Sequence, residues 1–197
     1  MKLLLATSNL HKVEEIRALL ADTNFSIYTL RDFPSLVLPP EDGETFQANA
    51  AIKAEAAANA TGLLTLADDS GLEVDCLGGA PGVYSARFSG EEKNDAANNA
   101  KLLQLLQGVP QEQRRARFRC SIAIKPPDGS TMICNGCCEG LIGETLVGEG
   151  GFGYDPLLYL PELGKTVAQL SMEEKNNLSH RAKALLKAKV LLQNLEK

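Results

Sequence analysis

The sequence predicts an α/β fold, and three stretches carry that prediction. Lys2 to Ala6 is a short apolar run followed by the polar cluster Thr7-Ser8-Asn9 and then by Val13, Ile16, Leu19 and Leu20 at helical spacing: a strand, a turn and a helix. Leu63 to Leu72 is a second apolar run that meets two adjacent carboxylates, a hydroxyl and a glycine at Asp68-Asp69-Ser70-Gly71. Ala116, Phe118, Cys120, Ile122 and Ile124 alternate with Arg115, Arg117, Arg119 and Ser121, the period of a half-buried strand. Asp128-Gly129 then marks a hairpin into Thr131 to Leu141. A chain of 197 residues can bury one sizeable core, so 1–197 is expected to be a single domain, with room for two lobes.

The bulk properties exclude some functions. A formal charge of -5 and a pI near 5.2 argue against a general binder of nucleic acid or acidic membranes, which attract positive surfaces. A phosphate site here must be a local cluster of basic residues. Met1 to Ala6 is too short an apolar run for a signal peptide or a membrane span, and the expectation is a cytoplasmic protein. Five cysteines, Cys76, Cys120, Cys134, Cys137 and Cys138, are an odd number and are read as reduced thiols. The lone C-x-x-C at Cys134 to Cys137 is half of a zinc site at most, so ordinary strand cysteines are the preferred reading.

In chain order, the turn from Thr7 to Lys12 presents free backbone N–H groups and the positive end of a helix dipole, with Lys12 in the first helical turn. A capped surface helix and a phosphate seat are both open readings. The glycines of a Walker loop are missing. A strand region from Phe25 leads to the acidic turn Pro39-Pro40-Glu41-Asp42-Gly43-Glu44-Thr45, which is either solvated or able to hold a cation. Phe46 to Ala60 is an alanine-rich helix with Phe46, Ala50, Ala54 and Ala57 as its stripe and Gly62 as its stop. Lys53 beside that stripe is read as solvated, or as a phosphate contact.

The run from Leu63 is expected to end as a strand at Asp68-Asp69. Successive side chains on a strand point to opposite faces, so only one of the pair is expected to serve a site. A polar turn is the competing reading. Leu72 to Asp75 and the glycine-rich Leu77 to Ser85 follow, then a helix from Asn94 to Gln107 closed by Gly108 and Pro110. The arginine row is expected to be solvated or salt-linked to the acidic surplus rather than to touch nucleic acid. Gly148 to Gly153 fits the letters of a dinucleotide fingerprint but is followed by a strand pattern instead of a helix. It is read as a flexible loop carrying Phe152 and Asp155. Ser171 and Glu174 have capping-box spacing, and Ser179-His180-Arg181 opens a last helix with Ala182, Leu185, Leu186 and Val190 as its expected buried stripe. Two basic residues in a first turn oppose the helix dipole, so His180 and Arg181 are either a surface pair or groups with a task.

These blocks resemble the inosine triphosphate pyrophosphatase family from residue 2 to roughly residue 190. The resemblance rests on Thr7-Ser8-Asn9-Leu10-His11-Lys12; on Ala67 to Leu72 with Leu77 to Ser85; on Gly151-Phe152-Gly153-Tyr154-Asp155-Pro156; and on Lys175 with Ser179-His180-Arg181. It implies a long, bent mixed sheet flanked by helices, two lobes with the active site in a cleft between them, and a homodimer. It implies hydrolysis of non-standard purine nucleoside triphosphates such as ITP, dITP and XTP to the monophosphate and pyrophosphate, with Mg²⁺ and without nucleic-acid or membrane partners. By the same resemblance Asp69 is the proton acceptor and a metal ligand, and Glu41 is the second carboxylate, with Asp42 or Glu44 able to serve instead. Ser70, Thr7 to Lys12, Lys53 and Lys175 become substrate contacts, Phe152, Gly153, Tyr154 and Asp155 the base loop, and His180 and Arg181 the readers of the purine. The alternatives are a pyrophosphatase for other modified nucleotides, or a non-catalytic nucleotide- or RNA-binding protein using the arginine strand.

Overall fold

The computed structural model describes residues 1–195. Their regular elements are β1 (Lys2–Leu5), α1 (Leu10–Leu19), β2 (Ser26–Thr29), α2 (Phe46–Thr61), β3 (Leu64–Val74), α3 (Asp95–Leu105), β4 (Arg115–Lys125), β5 (Met132–Ile142), β6 (Leu158–Leu160), β7 (Lys165–Thr166), α4 (Met172–Leu178) and α5 (His180–Leu195). The strands form a seven-stranded sheet in the order β2-β1-β3-β4-β5-β6-β7. It is mixed: β1 runs parallel to β2 and β3, and β6 runs antiparallel to β5 and β7. Local chemistry fixes the helix ends. The Asn9 side chain accepts from the amides of His11 and Lys12 and so starts α1. Thr45 caps α2, and Gly62, at φ 68°, ends it in the left-handed conformation that glycine adopts without penalty.

The chain divides into two compact units, 1–69 with 120–136 and 180–197, and 70–119 with 137–179. In the first, alternation along β1, β3 and β4 builds two apolar layers. Leu3, Leu5, Leu64, Leu66, Ile122 and Ile124 pack with Val13, Ile16 and Leu20 from the α1 segment and with Ala184, Leu185, Ala188 and Leu192 of α5. Leu4, Ala6, Ala67 and Ala123 pack with Ala50, Ala54 and Ala57 of α2, where small side chains allow a close approach. The second unit has its own core, with Leu72, Val74, Leu102, Leu106, Ala116, Phe118, Ile142, Leu157 and Leu158 among its members.

Two expectations are corrected here. The strand from Leu64 does not stop at the aspartates but continues to Val74, because ion pairs on both faces offset the two carboxylate charges inside the strand. The buried stripe of α5 is Ala182, Ala184, Leu185, Ala188 and Leu192, whereas Leu186 and Val190 are exposed. Alanines let α5 lie against the sheet, which moves its apolar arc round by about one position.

The contact between β5 and α5 is made possible by Gly136. A Cβ there would lie 2.0 Å from the His180 carbonyl oxygen and 2.6 Å from the Ala184 amide nitrogen. Gly136→Ala is therefore expected to displace α5 and to destabilise the protein by about 1–3 kcal/mol, seen by calorimetry as a fall in Tm of roughly 2–12 °C. An unchanged Tm would count against this close approach.

Candidate active site

In the first unit, Asp68 and Asp69 follow the alternation of β3 and sit on opposite faces. Asp68 joins the face of Leu64 and Leu66. Its Oδ2 accepts from Arg181 Nε at 3.4 Å and lies 2.9 Å from Lys12 Nζ. Arg181, 1 % exposed, also donates through Nη1 to Glu15 of α1, itself buried. Asp68, Arg181, Glu15 and Lys12 thus form a buried network that ties β3 to the first turns of α1 and α5. Burial alone would raise the Asp68 carboxyl, but Lys12, Arg181 and Lys53 overcome it and hold Asp68 well below the usual carboxylate range.

Asp69 joins the face of Ala67, toward α2. Lys53 Nζ stands 3.8 Å from Asp69 Oδ1 and 3.0 Å from Glu41 Oε2, and it donates to the Asp68 carbonyl oxygen at 2.8 Å. Lys53 is buried, so it is a held charge rather than a solvated lysine. Within the acidic turn, Glu41 is the carboxylate on Lys53, and Asp42 and Glu44 are exposed. The turn is pinned by Asn49, whose Oδ1 accepts from the Gly43 amide at 2.8 Å and whose side chain also hydrogen-bonds Asp69. Burial lifts the Asp69 carboxyl to about 6, with a push from the Glu41 charge and against the pull of Lys53 and Lys12. Glu41 stays below its ordinary value, because Lys53 and Lys12 outweigh its own burial. The strand therefore offers two neighbouring carboxyls of opposite character, one locked as an anion and one able to exchange a proton near neutral pH.

Thr7 to Lys12 forms the turn that ends β1 and opens α1. Asn9 and Lys12 are half-buried, Ser8, Leu10 and His11 are exposed, and the Thr7 Oγ1 accepts from the Asn9 amide at 3.3 Å. His180 is buried at the start of α5 beside Arg181. The two are thus an interior pair, not a surface one.

The second unit contributes Ser70, half-buried in β3 directly after Asp69, and the loop from Gly151 to Asp155. Asp155 Oδ2 accepts from the Phe152 amide at 3.1 Å and from Lys175 Nζ at 2.9 Å. Lys175 Nζ also lies 5.2 Å from the centroid of the Phe152 ring. Tyr154, buried, donates its hydroxyl to the Ser85 carbonyl oxygen at 2.8 Å. Gly153 is held by α3: its amide donates to Asp95 Oδ2 at 2.7 Å, and its carbonyl accepts from Asn99 Nδ2 at 2.9 Å. Lys175 therefore belongs with the loop from Gly151 to Asp155 in this unit. The arginine row is salt-linked, Arg119 Nε to Glu73 Oε2 at 2.9 Å and Arg117 to Asp75.

Sequence reasoning missed Glu15, Asn49, Asp95 and Asn99. Each is a polar residue at a position in phase with an apolar helix stripe. That signal was readable at Asp95, Asn99, Leu102 and Leu106, which share one face of a helix.

Known proteins resemble the chain over nearly its whole length. The Ham1 family model matches residues 3–191. The dITP/XTP pyrophosphatase of Desulforamulus reducens is 58 % identical over 195 residues, 99 % of this chain and 97 % of that protein. That of Geobacillus kaustophilus is 54 % identical over 186 residues, 94 % and 91 % of the two chains. Among solved structures, the Staphylococcus aureus Ham1 protein superposes with a TM-score of 0.90 at 41 % identity, covering 100 % of both chains. A match this long shows that the chain belongs to the Ham1 family.

Proposed function

We propose that this protein hydrolyses non-standard purine nucleoside triphosphates, dITP, ITP and XTP, to the monophosphate and pyrophosphate. The observation that carries the proposal is the Asp69 carboxyl, raised to about 6 beside a second carboxylate and a buried lysine, in a chain 58 % identical to a dITP/XTP pyrophosphatase. Water attacks the α-phosphorus in line with the departing pyrophosphate, and Asp69 accepts its proton. Lys12, at the N-terminal turn of α1, and Lys53 offset the negative charge of the β- and γ-phosphates.

Glu41 and Asp69 suit Mg²⁺. Among the described residues no group of three or more His, Cys, Asp and Glu side chains gathers to cage an ion. A pair of carboxylates is nonetheless the donor set that Mg²⁺ uses when it keeps waters and shares the substrate's phosphates. Bound there, the ion supplies charge neutralisation for the leaving pyrophosphate. Asn49 keeps the turn carrying Glu41 against Asp69, and Lys53 holds the two carboxylates together.

The loop from Phe152 to Asp155, with Lys175, takes the base. A donor aimed at a 6-keto oxygen pairs with hypoxanthine or xanthine and meets another donor on adenine, and a buried unpaired polar group is costly. Guanine carries the same 6-keto oxygen, so its rejection rests on the 2-position. The resemblance supports a homodimer acting in the cytoplasm, and no described helix is long and apolar enough to cross a membrane. A panel of ITP, XTP, dITP, GTP, ATP and modified pyrimidine triphosphates, hydrolysed in ¹⁸O-water with and without Mg²⁺, tests the proposal. The expected result is Mg²⁺-dependent release of pyrophosphate from the 6-keto purines and label in the monophosphate. Label in pyrophosphate would overturn the direction of attack, and no release in either case would leave a nucleotide-binding protein.

A further inference from the structure

The loop from Gly151 to Asp155 is held at several points, some of them within or next to the segments already assigned: Asp155 on Lys175, the Tyr154 hydroxyl on the Ser85 carbonyl oxygen, and the Ala168 amide on the Asp155 carbonyl oxygen. A further hold comes from α3. Gly153 sits at φ 61°, in the left-handed region, and both of its backbone polar groups are taken by side chains of that helix. Asp95 and Asn99 are four residues apart and so share one helix face, one above the other. Asp95 is in the first turn of α3, where the helix dipole favours a carboxylate, which strengthens its bond to the Gly153 amide.

Asn99 is the more telling of the two. It is buried, its Nδ2 is used on Gly153, and its Oδ1 has no hydrogen-bond partner among the described residues. A buried acceptor without a partner is destabilising. An apolar side chain would continue the stripe of Leu102 and Leu106, both fully buried, but would leave the Gly153 carbonyl without its donor. The amide at 99 is explained by what it does to Gly153. Fixing Gly153 fixes its neighbours on either side, Phe152 with its ring against Lys175 and Tyr154 in the core of the unit.

We infer that Asp95 and Asn99 are positioning residues for base selection: they clamp Gly153 so that Phe152 and Asp155 meet the purine in one fixed arrangement. The inference rests on the reading of this loop as the base loop. It predicts a division of labour, because α3 acts on the base half of the ligand and leaves the phosphate half untouched.

The test compares inhibition of ITP hydrolysis by IMP, which carries the base, with inhibition by inorganic tripolyphosphate, which does not. Asn99→Leu is expected to weaken IMP about 10-fold, the loss of one well-made hydrogen bond, to raise KM for ITP more than it lowers kcat, and to leave tripolyphosphate inhibition unchanged. Asp95→Ala is expected to act the same way, and Asp95→Asn, which keeps an acceptor for the Gly153 amide, to recover most of the loss. Wild-type IMP inhibition in Asn99→Leu, or equal weakening of both inhibitors, would overturn the clamp. If Asp95→Ala does not fold, Asn99→Leu decides alone. Phe152→Ala separates this inference from the reading beneath it. If Phe152→Ala leaves IMP inhibition intact, the loop does not read the base and the clamp falls with it. If Phe152→Ala weakens IMP and Asn99→Leu does not, only the clamp fails.

Discussion

Asp69→Asn is expected to lower kcat for ITP about 10²- to 10⁴-fold, the range lost when a positioned general base is removed, with little change in thermal stability. Asparagine keeps the shape and retains an oxygen for Asn49, but it cannot accept the proton of the attacking water. The same residue sets the pH dependence. Its folded pKa of about 6 lies above the ordinary carboxyl value of 3.8, because burial and the Glu41 charge disfavour the anion. The proton is therefore held more tightly in the folded state. Stability from this group is fully present below the unfolded value and is lost as pH rises through about 6, and catalysis gains what stability gives up. In the wild type, kcat/KM is expected to rise with pH along a limb at or below about 6, since a cation held by the carboxylates draws the value down. Asp69→Asn is expected to lose that limb along with the rate. Near-normal turnover would move the role to another base. Asp68 is a poor substitute, because Lys12, Arg181 and Lys53 hold it as an anion of low proton affinity.

The two aspartates also show how far a sequence reading reaches. The period of a strand is two, so adjacent residues must diverge, and Asp68 and Asp69 do so onto the α1–α5 face and the α2 face. That much needs only geometry. What kept the strand from ending at the pair was invisible locally, because the countercharges come from far along the chain: Lys12 and Arg181 for one residue, Lys53 for the other. Likewise Lys53 read as a solvated residue, and Arg181 was open between the surface and a task, because a lone basic residue on a helix is usually exposed. Their burial depends on carboxylates brought together only by the sheet. The helices, the hairpin and the loop at Gly151 to Asp155 were legible because capping residues, turn residues and periodicity are local signals. Pairings between polar side chains on separate elements have no such signal, which is why the partners of Glu15, Asn49, Asp95 and Asn99 emerged only from the structure, even where, as at Asp95 and Asn99, the helix face itself was readable.

Arg181→Met tests whether the largest of those hidden pairings is structural. Read as a base contact alone, Arg181 could be removed with a loss of ITP selectivity and little loss of fold. The structure argues otherwise: the guanidinium is 1 % exposed and donates to two buried carboxylates, Asp68 and Glu15. Methionine fills much of the same space but leaves two buried anions without their common partner. Breaking a buried pair in this way costs about 3–5 kcal/mol, and for a chain of this length that lowers Tm by roughly 6–20 °C. The deficit is also expected to depend on pH with a definite sign. In the wild type, Asp68 has a depressed pKa, so its contribution is present above the unfolded value of 3.8 and is lost only as pH falls toward the lower folded value. Without Arg181 the burial of Asp68 is opposed mainly by the two lysines, its carboxyl takes up a proton at higher pH, and protonation relieves the buried charge. The gap in Tm between the two proteins is therefore expected to be widest near pH 7 and to narrow as the solution is acidified toward pH 4. Glu15→Gln combined with Arg181→Met removes one of the stranded charges and is expected to recover part of the loss. A variant that melts like the wild type at pH 7 but no longer prefers ITP over ATP would return Arg181 to the role of a base reader.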